Sequence, residues 1–344
     1  MSVLFVTHPR YVEHDLAQHP EHAGRIRAVW RAMEDTSASD VVQSVEAPSA
    51  DLQTLRAVHT DEYLELLRSL ERFDRTVRLD PDTYANPISY EIARVSAGGV
   101  LRAVDGVLSG MSASSLAVVR PPGHHALPQR AMGFCLLGNV AVAARHAQRI
   151  YGLERILIVD YDVHHGNGTE AVFYDDPGVL FISTHQVNIF PGTGAVRDTG
   201  RGKGEGFTIN IPMPGGCGDS SYARVFEEVV EPAARRFQPQ LILVSVGHDA
   251  HWADPLASMQ LSLRGYADLA SRLHTLAGEL CGGKIAFVME GGYHLDALGY
   301  GIANIALLLA GKPIHDPLGA PPQAFQEPDI SRLIAEVRRV HHLT

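Results

Sequence analysis

Ile156-Leu157-Ile158-Val159-Asp160-Tyr161-Asp162-Val163-His164-His165-Gly166 is an apolar run that ends abruptly in carboxylates and imidazoles. Four aliphatic residues, three of them β-branched, form the pattern of a strand buried on both faces, as in a parallel sheet. The same arrangement recurs three times. Leu116 to Val119 runs into Arg120-Pro121-Pro122-Gly123-His124-His125, and Leu241 to Val246 runs into His248 and Asp249 and on to Asp254-Pro255. Ile285 to Met289 runs into Glu290-Gly291-Gly292-Tyr293. In an open parallel sheet ligands bind at the carboxyl ends of the strands. These four tails are therefore expected to gather carboxylates, imidazoles and a phenol on one rim.

Between the runs, helical periodicity fills Ala23 to Asp35, Asp61 to Glu71, Ser89 to Leu108, Gly138 to Tyr151, Ser220 to Arg236, Ser262 to Leu280 and Leu295 to Leu309. The alternation predicts an α/β fold: a single open parallel β-sheet flanked by helices, with the active site at the C-terminal ends of the strands. No low-complexity linker or repeat interrupts it, so residues 1–344 are expected to form one catalytic domain. A peripheral segment from about residue 312, rich in proline (Pro313, Pro317, Pro321, Pro322, Pro328), is expected to end in a helix near Asp329 to Val340. Leu79 to Pro87, His185 to Gly206 and His248 to Met259 have the composition of long functional loops, the usual place for site residues.

Composition narrows the function. A net charge of −10 argues against a surface that holds nucleic-acid phosphates. No apolar run approaches the ~20 residues of a membrane helix, and the start, from Met1 to Pro9, lacks the basic opening and longer apolar core of a signal peptide. Cys135, Cys217 and Cys281 form no C-x-x-C pair, which disfavours a disulfide framework or a cysteine zinc site and fits a reducing cytoplasm. Nothing in the sequence specifies an oligomeric state.

Asp162 and His164 alternate, so in extended chain they project to the same side and can grip one ion, with Asp249 as a third ligand from another strand end. Two carboxylates, one imidazole and an open fourth position suit a catalytic zinc site, and ferrous iron is also accepted by such a set. Asp160, two residues earlier on the same side, is placed to accept a hydrogen bond from a catalytic imidazole and fix its tautomer. His124 and His125, held by Pro121-Pro122-Gly123, are candidates for general acid and base. Tyr293, after two glycines, can donate a hydrogen bond to an oxyanion without adding charge.

Together the segments R-P-P-G-H-H, D-x-D-x-H-H-G-N-G-T, P-G-T-G and E-G-G-Y resemble the histone deacetylase superfamily, which includes the acetylpolyamine amidohydrolases. The similarity runs from about His8 to Gly311, with a weaker match at His19-Pro20-Glu21 and Arg25. The resemblance implies an arginase/deacetylase-like fold and a metal-dependent deacetylase that acts on an acylated lysine peptide or a small acylated amine. It implies Asp162, His164 and Asp249 as zinc ligands, His124 and His125 as the acid/base pair, and Tyr293 as the group that polarises the carbonyl. It also implies Phe134 and Phe190 as walls of an acyl-lysine tunnel, and a structural K+ or Na+ at Asp160, Asp162, His164, Ser183 and Thr184.

Departures from the family pattern carry information. Asn167 stands where many nuclear-type members have Asp; an amide cannot stabilise imidazolium by charge, so His125 should titrate lower. Both Asp80 and Asp82 fit the substrate-amide carboxylate, Asp82 being preferred. His248 either adds an imidazole to the rim or points into the sheet, the second being favoured. Leu256 follows Asp254-Pro255, where one polyamine-selective subgroup has a carboxylate, which favours acyl-lysine over an acetylpolyamine. A two-manganese ureohydrolase would need D-x-H-x-D, and the chain has Asp162-Val163-His164-His165-Gly166. A metal- or acyl-binding pseudoenzyme would lack a ligand or the oxyanion donor, and neither is missing.

Overall fold

The computed structural model describes residues 3–321 and 326–343. Its strands, in chain order, are β1 (Val3–Thr7), β2 (Val42–Glu46), β3 (Val77–Arg78), β4 (Tyr84–Ala85), β5 (Ser114–Ala117), β6 (Ile156–Asp160), β7 (Val179–Gln186), β8 (Thr208–Met213), β9 (Leu241–Val246) and β10 (Ile285–Met289). Eight of them build one sheet in the order β2-β1-β5-β10-β9-β6-β7-β8, with every neighbouring pair parallel. β3 and β4 form a separate antiparallel ladder.

The order explains why the site assembles. The four strands that carry polar tails, β5, β10, β9 and β6, are consecutive neighbours at the centre of the sheet. Their registers pair Ala117 with Val288, Met289 with Val246 and Asp160 with Ser245, so the strands stop within a residue or two of one another. At about 4.8 Å between strands the four tails share a rim only about 15 Å wide.

Helices cover the sheet. The long helix Ser89–Leu108 lies close because Gly98 and Gly106 present no side chain: a Cβ there would sit 1.9 Å from the Pro48 carbonyl oxygen and 2.3 Å from Leu4 Cδ2. Helix Leu263–Cys281 starts where the Ser262 hydroxyl accepts the Gly265 N–H, and stops at Gly282 in the left-handed region.

Three boundaries differ from expectation. β5 begins and ends two residues earlier than the apolar run, because buried Ser114 and Ser115 belong to the ladder while Val118 and Val119 are buried beyond the last β10 partner. The helix expected over Ser220 to Arg236 is broken into Asp219–Val225, a π-helical turn at Phe226–Val230, and Glu231–Phe237. Pro232 has no N–H to donate back to Glu228, and the wider turn absorbs the break. His185 and Gln186 belong to β7 and not to the loop after it. The C-terminal helix is present as Ser331–Val340, led in by an Asp329 carboxylate that accepts the Ser331 N–H. Met1 and Pro322 lie outside the described residues. Among those residues no helix is long and apolar enough to cross a membrane.

Candidate metal centre and active site

Asp162 and His164 follow β6, and Asp249 follows β9, its immediate neighbour. His164 Nδ1 lies 3.3 Å from Asp162 Oδ1 and 3.2 Å from Asp249 Oδ2, and the three buried residues offer donor atoms that all fall within 4.8 Å of one another. A tetrahedral ion with bonds of about 2.0–2.1 Å separates its donors by about 3.3–3.4 Å, so the set fits such a cation. Backbone amides hold the carboxylates in place. Gly291 N–H donates to Asp162 Oδ2 at 2.8 Å, and Val163 N–H to Asp249 Oδ1 at 3.0 Å.

Three glycines make the convergence possible. A Cβ at Gly166 would lie 2.1 Å from Asp160 Oδ2, one at Gly247 2.2 Å from Asp162 Oδ2, and one at Gly291 2.2 Å from Asp249 Oδ2. In the metal-free protein burial lowers the His164 pKa, but hydrogen bonds to Asp162 and Asp249 outweigh it and raise the ring to about 10. Burial and the Asp162 charge push Asp249 up to about 7.

His124 and His125 stand beside this cluster, their ring centres 3.9 Å apart. His124 Nδ1 is 3.0 Å from Asp160 Oδ2, the contact expected of Asp160, while Asp160 Oδ1 accepts the Asp162 N–H at 3.1 Å. Burial depresses His124, but the Asp162 and Asp160 charges prevail and raise it to about 10. His125 Nδ1 lies 2.7 Å from Asn167 Oδ1. An amide oxygen only accepts, so Nδ1 carries the proton and Nε2 keeps a free lone pair. Burial, then His124 and His164, hold His125 well below the usual imidazole value, against a smaller raising effect of the Asn167 hydrogen bond.

A cavity of about 240 Å³ opens over these groups, with Phe134 and Phe190 on its walls and Tyr293, His125 and His164 among its lining. The Phe190 ring stands edge-on to His125 at 5.0 Å, and Phe134 edge-on to Tyr293 at 5.7 Å. Phe134 adopts a φ of 68° and Gly133 a φ of 56°, a local departure that turns the Phe134 ring to the cavity. Burial keeps the Tyr293 phenol well above its usual pKa, hence neutral. Asp82 and Leu256 line the same cavity, whereas the Asp80 carboxylate is occupied by the Asp82 and Thr83 amides.

Behind the rim, a buried arginine–glutamate network braces the Tyr293 turn. Arg25 Nε donates to Gly292 O at 2.7 Å and Nη2 to Glu290 O at 2.5 Å, and its guanidinium lies 5.0 Å from the Tyr293 ring centre. Glu21 bridges Arg25 Nη1 at 3.1 Å and Arg120 Nη2 at 2.7 Å, all three fully buried. Burial raises the Glu21 carboxyl, but Arg120 overrides it and sets the pKa at about 2. The weak H-P-E-x-x-x-R match was the available signal for this network. Asp254 does not face the cavity as a rim carboxylate; it accepts the Tyr293 and His294 N–H groups at 2.7 and 3.0 Å. His248 is fully buried, its ring 4.6 Å from Tyr266 and against Gly301, so it adds no imidazole to the cavity and, instead of pointing into the sheet, packs against helices Leu263–Cys281 and Leu295–Leu309.

Ser183 lies opposite Asp160 across the β6–β7 ladder, its hydroxyl 3.0 Å from His185 Nδ1. The Thr184 hydroxyl is buried with no hydrogen-bond partner among the described residues.

The chain matches the family model described as the histone deacetylase domain over residues 19–309. It is 39% identical over 349 residues to histone deacetylase 14, chloroplastic, of Arabidopsis thaliana, covering 96% of this chain and 82% of that one. A probable deacetylase of Archaeoglobus fulgidus is 37% identical, with 98% and 96% covered. A histone deacetylase-like amidohydrolase of Pseudomonas aeruginosa is 40% identical, with 80% and 72% covered. Among solved structures, the HDA15 HD domain superposes with a TM-score of 0.91 at 34% identity, over 99% of this chain and 96% of that one.

Proposed function

Because the chain belongs to the histone deacetylase family and is a hydrolytic deacetylase, we propose that it is zinc-dependent and removes an acetyl or other short acyl group from acyl-lysine. The observation that carries this is the 3.2–3.3 Å donor cluster at the base of a narrow cavity walled by Phe134 and Phe190. Asp162, His164 and Asp249 are the residues that would hold the cation. A divalent ion supplies Lewis acidity there, drawing electrons from an amide carbonyl and making water acidic near neutral pH.

The chain's own groups do the rest. His125 Nε2, unprotonated and aimed by Asn167, takes the proton of the attacking water as the C–O bond forms. Tyr293 donates its hydroxyl proton in a hydrogen bond to the carbonyl oxygen as that oxygen gains charge. His124, oriented by Asp160, faces the same centre, and the histidine pair returns a proton to the nitrogen as the C–N bond breaks. The products are a carboxylate and a free amine. Phe134 and Phe190 sandwich the alkyl stem of the substrate, Asp82 accepts from its backbone amide, and Leu256 covers the mouth.

Asp160, Asp162, His164, Ser183 and Thr184 would hold a structural K+ or Na+; the Thr184 hydroxyl, buried with no hydrogen-bond partner among the described residues, supports this. Residues 1–344 act as one catalytic domain in the cytoplasm, a compartment consistent with three free, buried cysteines.

The deciding experiment compares kcat/KM of the zinc-loaded protein on an acetyl-lysine peptide and on N-acetylputrescine, beside Tyr293→Phe. The peptide is expected to be preferred, and the variant to keep its zinc while losing about 10²-fold or more in turnover. Preference for acetylputrescine would instead identify an acetylpolyamine amidohydrolase. Near-normal turnover by the variant would remove Tyr293 from the mechanism.

A further inference from the structure

A larger cavity, of about 780 Å³, lies at the opposite end of the sheet. Arg155 and Phe207 on its wall immediately precede β6 and β8, and Leu180 sits at the start of β7, so it opens at the amino ends of the strands. On β7, Leu180 of its wall is six residues from Gln186, whose N–H donates to Val163 O between two of the metal ligands, a separation of about 20 Å at roughly 3.3 Å per residue. The end of the C-terminal helix, Val340 to His342, forms another wall.

Its chemistry is cationic and aromatic in a protein whose net charge is −10. Among the described residues, Arg155, Arg197 and Arg236 line it against one side-chain carboxylate, Glu205, which is engaged by the Thr199 hydroxyl at 2.5 Å. Among the described residues Arg155 donates through Nε to Gln238 O at 2.8 Å, and Arg236 through Nη1 to His341 O at 2.6 Å and His342 O at 3.4 Å. The nearest carboxylate to Arg197 is that of Glu336, at 3.9 Å. The other guanidinium nitrogens have no side-chain hydrogen bond among the described residues and face a ligand. Phe207 and Phe237 meet edge to face at 5.9 Å and offer an apolar surface beside them. His341, 3% exposed, lines the cavity with neither ring nitrogen completing a hydrogen bond among the described residues, although the Gly206 backbone lies near it. A buried polar ring left unsatisfied is costly unless something else completes it.

We infer that this cavity is a second ligand site, for an organic phosphate whose anionic group meets Arg155, Arg197 and Arg236 and whose flat apolar body lies on Phe207 and Phe237. Guanidinium forks match phosphate oxygens in pairs, and the His341 ring supplies a further hydrogen bond. Such a ligand would join the C-terminal helix end to the loop that precedes β8. The site is independent of the deacetylase chemistry and does not rest on it.

The test is calorimetric titration of the full metal-loaded chain with phenyl phosphate, with and without a hydroxamate occupying the metal site. Saturable one-to-one binding is expected, unaffected by the hydroxamate and weakened about tenfold or more in Arg155→Ala and in Arg197→Ala. Both variants should keep wild-type deacetylase turnover, which shows that they fold. Inorganic phosphate should bind more weakly than phenyl phosphate. Displacement by the hydroxamate, equal affinity for inorganic phosphate, unchanged affinity in both arginine variants, or no saturable binding at millimolar ligand would each overturn the inference.

Discussion

Replacing Asn167 with Asp changes one atom type in the contact that prepares His125. The amide oxygen lies 2.7 Å from His125 Nδ1, so a carboxylate oxygen in its place would meet the same proton. Two unit charges about 4 Å apart interact by about 4 kcal/mol at an effective dielectric of 20. Asn167 is partly exposed, and the new carboxylate must itself lose water, so a net stabilisation of the imidazolium by about 1.5–3 kcal/mol is the realistic fraction. That raises the His125 pKa by about one to two units. A base that holds its proton to higher pH is inactive to higher pH. The acidic limb of kcat/KM should therefore move up by about one to two units, with activity at a fixed pH on that limb falling about 10- to 100-fold and the plateau above it retained. The assay is a pH–rate profile of both proteins on one acetyl-lysine peptide, with zinc content measured in parallel. An unmoved limb in a folded, zinc-loaded Asn167→Asp protein would refute the assignment of His125 as the base.

Three further outcomes follow from the same geometry. His14, His59, His185, His248, His251 and His341 are buried and held neutral by that burial, with pKa values of about 3 or 4. Unfolded imidazoles take up protons near 6.5, so their contribution to stability is full above that pH and is lost as pH falls toward 4; Glu290 and Asp249, raised to about 7 by burial, offset part of the loss, and the urea midpoint should fall from pH 6.5 to pH 5. Urea midpoints that stay level from pH 6.5 to 5 would contradict this. Removing one member of the buried Arg25–Glu21–Arg120 network by Glu21→Gln should cost about 3–5 kcal/mol in urea unfolding, because two guanidiniums lose their counter-charge. Zinc binding at pH 7 should release between about one and two protons, since the metal-free His164 and, in part, Asp249 are protonated there; calorimetry in buffers of different ionisation enthalpy counts them.

The rim was legible because strand ends are local features and the topology needed only to make their strands neighbours. Leu241 to Val246 and Ile285 to Met289 declare themselves by composition, and β9 and β10 match them residue for residue. The edge strand β2, Val42-Gln43-Ser44-Val45-Glu46, did not stand out because most of it faces solvent and its composition is mixed. Glu21 and Arg25 looked like a minor motif because their partners, Arg120, Glu290 and Gly292, lie about 100 to 270 residues away and only packing joins them. Asp254 resembled a rim acid for the opposite reason: its place in the chain is right, but its oxygens turn inward to two backbone amides. The arginine cavity has no sequence signature, since residues 155, 197, 207, 236 and 341 meet only once the last helix docks.

Gly166, Gly247 and Gly291 set a limit on how the centre can be altered or transplanted. None of them donates a bond to an ion, yet each occupies a point where one added carbon would displace a ligand or the carboxylate behind it. A mutational scan should find these positions as intolerant of alanine as Asp162 or Asp249, with metal content falling first. A designer who copies the three ligands and two histidines into another scaffold would reproduce the chemistry on paper and still fail, unless the host also leaves those three points empty.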